Sequence, residues 1–208
     1  MSLNKTDRGI PLVKALANAD HPQATPLAVF KRARKKWLEG NRISIGDLAK
    51  EVGVSRVTLY RWVGSKDRLV EEILWSFAKP SIERAIRNTP GAGVEHIVDV
   101  HRHFMVELSA FDAMRNFIHE NPHVAVRIQT KDPMSAHGRL IELFAGHISE
   151  QVAMGHCTLP ATPLELAEMI VYTNGALLYG AIIGERSTAA AIELACGLSR
   201  MLLTTKMP

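Results

Sequence analysis

The chain has 208 residues, 47% hydrophobic and 22% charged, with 14 Gly, 10 Pro and a formal net charge of +4, so it is long and apolar enough to bury a core, and disorder, collagen-like repeats and low complexity are excluded. The charge is uneven: residues 1–80 carry 15 Lys+Arg against 8 Asp+Glu, and residues 81–208 carry 10 against 13. A basic first third predicts a polyanionic partner for that third alone, either nucleic acid or an anionic membrane surface.

Residues 1–24 are polar and contain Pro11 and Pro22, which reads as an N-terminal arm, and its charges interrupt any signal-peptide stretch. Thr25 and Pro26 then open a helix in which Leu27, Phe30, Ala33, Trp37 and Leu38 recur at three and four, while Lys31, Arg32, Arg34, Lys35 and Lys36 make the other face basic. Gly40 ends it. Ser44, with Asp47 three residues on, starts a short helix through Val52, and Gly53 stops it. Ser55 caps a third helix through Trp62, and after Gly64 a fourth begins at Ser65-Lys66 and reaches at least Lys79.

Beyond Pro80 helices are expected over Val94–Leu108, Ala113–Glu120, Ser135–Val152, Pro163–Ile183 and Thr188–Thr204, with breaks at Pro90-Gly91, Asn121-Pro122, Asp132-Pro133, Gly155 to Pro163 and Gly184 to Ser187. No segment alternates with period two and no fixed-period repeat is present, so the fold class is all-α. The uncharged stretch Met169 to Gly184 falls short of the ~20 residues of a bilayer span and reads as a buried helix. Cys157 and Cys196 have no CxxC partner, which excludes a disulfide framework or cysteine zinc site and fits a reducing cytoplasm.

Two short helices joined by a Gly-Val turn, Ser44 to Trp62, have the size of a helix-turn-helix, with Gly53 relieving the turn, Ala49 allowing a close crossing, and Val54 and Leu59 filling the space beneath. The block ISIGDLAKEVGVSRVTLYRWVGSKDRLVEEIL, Ile43 to Leu74, closely resembles the DNA-binding domain of TetR-type repressors: Leu48-Ala49, Gly53-Val54-Ser55, Thr58-Leu59-Tyr60, Ser65-Lys66 and Leu69 stand at the family's spacing. With the basic helix before it, the resemblance covers about residues 25–79. It implies a dimeric, ligand-responsive, non-enzymatic transcriptional repressor without a cofactor, whose partners are a double-stranded DNA operator, a small-molecule effector and a second copy of the chain, with no membrane.

The resemblance places Ser44, Thr58, Trp62 and Lys66 at phosphates and Arg56, Val57 and Tyr60 at base edges, with Arg61 adding a contact and Ser55 joining the set at the helix start. Chemistry agrees: Arg56 can fork onto guanine, Val57 can meet a thymine methyl, and Lys66 stands at a helix N-terminus suited to phosphate. Trp62 stands where the family often has His and Val63 where it often has Phe. Gly46 supplies no side chain at a position some members use for base contact. The remainder, residues 80–208, is expected to bind effector and dimerise. Candidate ligand residues there are His101, Phe104, Met105, Phe117, Tyr172, Asn174 and Tyr179, isolated polar and aromatic groups on apolar helices.

The small residues Ala176, Gly180 and Gly184, with a stripe containing Ile192, Cys196, Ser199 and Leu203, are expected to form a dimer interface, matching the family's pairing of its last two helices. YTNGALLYGAIIGE resembles the branch tied to degradation of quorum-sensing lactones, which implies a lactone or similar amphiphilic effector.

His119-Glu120-Asn121-Pro122-His123 has the HExxH spacing of zinc hydrolases, the alternative function. Pro122 opposes the continuous helix that would put both imidazoles one turn apart. The other His are too scattered for a ligand set, so no metal is expected. Attraction of Lys31 to Lys36 to anionic membrane is a further alternative.

Overall fold

Side chains named by the sequence start most of the helices. The computed structural model describes residues 24–127, 129 and 135–205; the arm expected over 1–24, Ala24 apart, and the break at Asp132-Pro133 lie outside them. Thr25 caps α1 (Pro26–Leu38), its hydroxyl accepting from the Ala28 N–H at 3.1 Å. Ser44 caps α2 (Ile45–Val52) and Ser55 caps α3 (Arg56–Val63) in the same way. Gly53 adopts φ 75°, the left-handed conformation that lets the Val54 N–H close back on the Ala49 carbonyl at 2.9 Å. Among the described residues the helices continue with α4 (Lys66–Asn88), α5 (Gly93–Ala110), α6 (Asp112–Glu120), α7 (Pro122–Arg127), α8 (Ala136–Ala153), α9 (Pro163–Ile183) and α10 (Thr188–Thr204), and none of these residues forms a strand.

Two differences from the expected elements have simple causes. Helix α4 passes through Pro80 and runs on to Asn88. Pro80 is exposed, so its ring and missing N–H fall on the solvent side, while Leu74, Ile82 and Ala85 stay buried on sides turned away from it. Asn121 breaks the helix as expected, at φ −130°, but Pro122 then serves as the first residue of the extra turn α7.

The chain divides into two compact units at Leu69/Val70, inside α4 and before the boundary expected at residue 79. In the first unit α1, α2 and α3 pack on one another around Val29, Ala33, Trp37, Leu48, Ala49 and Leu59. In the second, α9 packs against α8, α10 and α6, and α10 packs against α5. Helix α9 is also the one described helix long and apolar enough to cross a membrane, but Leu166, Ala167, Ile170, Val171, Leu178, Ala181 and Ile182 bury one side of it among these neighbours. Its start carries a full capping box between Thr162 and Glu165.

The second core is not wholly apolar. Helix α5 opens at Gly93, φ 70°, where a Cβ would stand 2.8 Å from the His156 carbonyl oxygen. The buried Gln151 side chain of α8 supplies its cap, accepting from the Gly93 N–H at 2.9 Å. Alongside, His96 and His147 meet edge to face with ring centres 5.0 Å apart, and His101 stacks on Phe144 at 3.6 Å. His96 Nδ1 and both nitrogens of His101 and of His147 are buried without a hydrogen-bond partner.

Burial pushes the His101 imidazole down to about 3, against the pull of the Ile97 carbonyl and helped by His147. Burial likewise pushes His147 down to about 4, helped by His96, and His137 down to about 4. These rings are therefore neutral in the folded chain while the unfolded chain protonates them below the ordinary 6.5. Proton uptake by the unfolded state makes stability fall as pH drops from about 6.5 toward 4, by up to ~1.4 kcal/mol per pH unit for the fully buried His101 and by less for His147. Urea midpoints measured across that window should decline well before ordinary carboxylates titrate; a flat midpoint would contradict the neutral assignment.

Candidate functional site

Helix α3 is buried on one side and open on the other. Leu59 is wholly buried, whereas Val57 is 69% and Tyr60 48% exposed. Arg56 and Arg61 are exposed beside them, and Thr58 and Trp62 lie half-buried at the flank. The Ser55 and Thr58 hydroxyls are tied together at 3.0 Å at the start of the helix. Ser44 is half-buried at the start of α2, and Lys66 is exposed at the start of α4. All nine residues expected to face DNA thus belong to three consecutive helix starts and the open side of α3.

Part of the basic face of α1 is engaged internally. Lys36 pairs with Glu51 at 2.5 Å, Arg32 donates to the Glu51 carbonyl at 2.9 Å, and Lys35 lies 3.8 Å from Glu39. The two contacts to Glu51 brace α1 against α2, which leaves less of the run Lys31 to Lys36 for a lipid surface.

The guanidinium of Arg56 lies over Gly46, in the first turn of α2. A Cβ at Gly46 would come within 2.5 Å of Arg56 Nη2 and 2.9 Å of Nε. The missing side chain noted in the sequence is thus the space that Arg56 occupies.

In the second unit a cavity with about 90 Å³ of free space lies between α4, α5, α6, α8 and α9. His101, Phe104, Met105, Asn174 and Tyr179 line it, as expected for ligand residues. Phe117 and Tyr172 do not: α6 contributes Met114 instead, and the Tyr172 ring tilts against His137, which does line the cavity. Leu74, Gln129 and Phe144 were not foreseen as lining residues; Gln129 approaches Gly175 so closely that a Cβ there would meet its Oε1 at 3.2 Å. Their apolar or loop positions carry no sequence signal that separates wall from core. Asn174 exchanges hydrogen bonds with Ser199 at 3.3 Å, and burial pushes the Tyr179 phenol up to about 12.

The pair Asn174–Ser199 also corrects the expected dimer stripe. Ile192, Cys196, Ser199 and Leu203 are each no more than 4% exposed in the single chain, because they are the side of α10 that packs on α5 and α9. The opposite side carries Ala190, Leu194 and Met201, exposed. On α9, Ala176 and Gly184 are exposed and Gly180 is half-exposed, although Arg186 reaches back to donate to the Gly180 carbonyl at 3.3 Å.

His119 lies in the last turn of α6 and His123 in α7, on separate helices, and His119 Nε2 sits 3.3 Å from Glu185. Among the described residues no group of three or more His, Cys, Asp or Glu is placed to hold a metal, so the hydrolase alternative finds no constellation.

Residues 92–204 match the family model described as "Tetracyclin repressor-like, C-terminal domain". The structure of the R. erythropolis transcriptional repressor QsdR from the TetR family is similar with a TM-score of 0.79 and 26% identity, over 88% of this chain and 96% of that one. A TetR-like transcriptional regulator from Rhodococcus sp. RHA1 is 18% identical over 86% of this chain and 96% of its own, with a TM-score of 0.42. No curated protein matches the chain. The all-α fold and these matches define a transcriptional regulator. The chain belongs to the TetR family.

The Gly46–Arg56 contact yields a test. Gly46→Ala should stabilise α2 by ~0.5–1 kcal/mol through helix propensity, since only the flexible end of Arg56 has to move. The same substitution should change DNA preference at one position of a selected site; a stability gain with unaltered preference would show that the contact does not position Arg56.

Proposed function

We propose that the chain acts as a cytoplasmic homodimer that represses transcription by binding a palindromic operator and is released by a small apolar or amphiphilic effector such as a lactone. Residues 25–79 bind DNA and residues 80–208 hold effector and partner subunit. The observation that carries this reading is the open side of α3, where Arg56, Val57, Tyr60 and Arg61 project from a helix anchored by the wholly buried Leu59. Among the described residues no interaction within the unit requires an exposed Val beside an exposed Tyr, whereas a thymine methyl and a base edge do. Arg56 reads guanine, Ser44, Ser55, Thr58, Trp62 and Lys66 position the helix on phosphates, and Arg61 adds charge. Two copies place their α3 helices in successive major grooves, ~34–36 Å apart or a multiple of that.

The outward faces of α9 and α10 support the dimer. Met169, Thr173, Ala176, Gly180 and Ile183 fall on one side of α9 at three- and four-residue spacing, and Ala190, Leu194, Gly197 and Met201 do so on α10. Neither stripe carries a charge, and the small residues let helices from a second subunit approach closely. Effector and operator then oppose each other reciprocally: whatever the ligand costs in DNA affinity, DNA costs in ligand affinity.

Selection of genomic fragments by the purified protein at two salt concentrations tests the whole reading, and recovery of a palindromic site is the expected result. On that site Arg56→Ala should cost ~1–3 kcal/mol mainly at one base pair, whereas Lys66→Ala should weaken every sequence alike and lower the salt slope by about one. Uniform losses from both would refute the base-reading role. For the dimer, Leu194→Glu with Met201→Glu should yield a folded monomer in analytical ultracentrifugation. Leu203→Ala, at a buried position, should instead cost ~2–5 kcal/mol of stability.

A further inference from the structure

The cavity wall, among the described residues, contains no Asp, Glu, Lys or Arg. Its polar members are His101, Gln129, His137, Asn174 and Tyr179. Asn174 is already engaged by Ser199. His101 differs: it is 2% exposed, and beyond the pull of the Ile97 carbonyl neither of its nitrogens has a partner, nor does Nε2 of His137. Buried polar atoms left unbonded cost free energy that a guest with matching groups recovers.

We infer that this cavity, taken as the effector site proposed above, selects an uncharged small molecule with a hydrogen-bonding head and an apolar body, anchored by His101 and His137, and rejects the matching carboxylate. A neutral imidazole offers one N–H and one lone pair, enough for an ester, lactone, amide or alcohol head. Burial holds both rings neutral, well below the ordinary imidazole value. A carboxylate needs a cation in the same space. The nearby arginine of α8 is unavailable for that role: Arg139 makes paired hydrogen bonds to Glu72 at 3.0 and 3.2 Å and lies over the Trp75 ring. The remaining wall is Leu, Met, Ala, Val, Phe and Gly175, which suits an apolar body. The free space of about 90 Å³ is smaller than the ~150 Å³ that accommodates benzene, so a guest of that size or larger displaces flexible side chains such as Met105 and Met114.

Isothermal titration of the full chain with a γ-lactone bearing a six-carbon side chain, and with the sodium salt of the hydroxy acid made by opening its ring, compares one skeleton with and without charge. The lactone should bind at least about tenfold more tightly. His101→Phe keeps the stack on Phe144 but removes both nitrogens, and should weaken lactone binding by about tenfold. Equal or tighter binding of the hydroxy acid would overturn the selectivity while leaving the cavity as an effector site. Binding of neither compound would overturn the effector reading and this inference together. Undiminished lactone binding by the variant would overturn the anchoring by His101.

Discussion

A helix with no charged residue from Met169 to Gly184 has to be covered all the way round, and the second unit is arranged to meet that requirement. Helices α6, α8 and α10 cover one side of α9. Asn174, the polar atom group set deepest on that side, is satisfied by Ser199 and so fixes how α10 lies on α9. Where α9 turns toward α5 and α8, packing leaves the cavity. The side that the other described residues leave uncovered is small-residued and uncharged, and it is the face proposed for a second copy. Core, cavity and proposed subunit contact are therefore three treatments of one apolar cylinder.

Much of this was legible in the sequence because helix ends are local chemistry. Thr25, Ser44, Ser55, Ser135, Thr162 and Ser187 each cap the helix that follows, and Gly53 sits where the turn between α2 and α3 requires a left-handed residue. The open side of α3 was readable too, since a single buried Leu59 fixes the rotation of so short a helix. Pro80 lies inside α4 because a proline's effect depends on which side of the helix it faces, and that is set by tertiary burial. In α10 the error was one of side: a helix apolar on both faces shows two stripes of equal period, and periodicity cannot tell which one the chain keeps for itself.

The cavity was half legible for a related reason. His101, Phe104, Met105, Asn174 and Tyr179 stood out as polar or aromatic residues on apolar helices, yet Phe117 and Tyr172 share that description and lie outside the wall. Membership depends on sub-turn rotation of helices about one another. The buried imidazoles show what the arrangement costs: His96 and His147 are held against each other with nitrogens unbonded, so the second unit carries polar desolvation that a purely structural core would avoid.

The seating of Arg56 against Gly46 has a consequence for lineages of such regulators. On the proposed reading of Arg56, a single codon change at Gly46 after gene duplication would displace the guanidinium and so part the new copy from the old operator. Divergence of targets can thus begin in the supporting helix, leaving the reading helix unaltered, so paralogues with identical α3 sequences need not share binding sites.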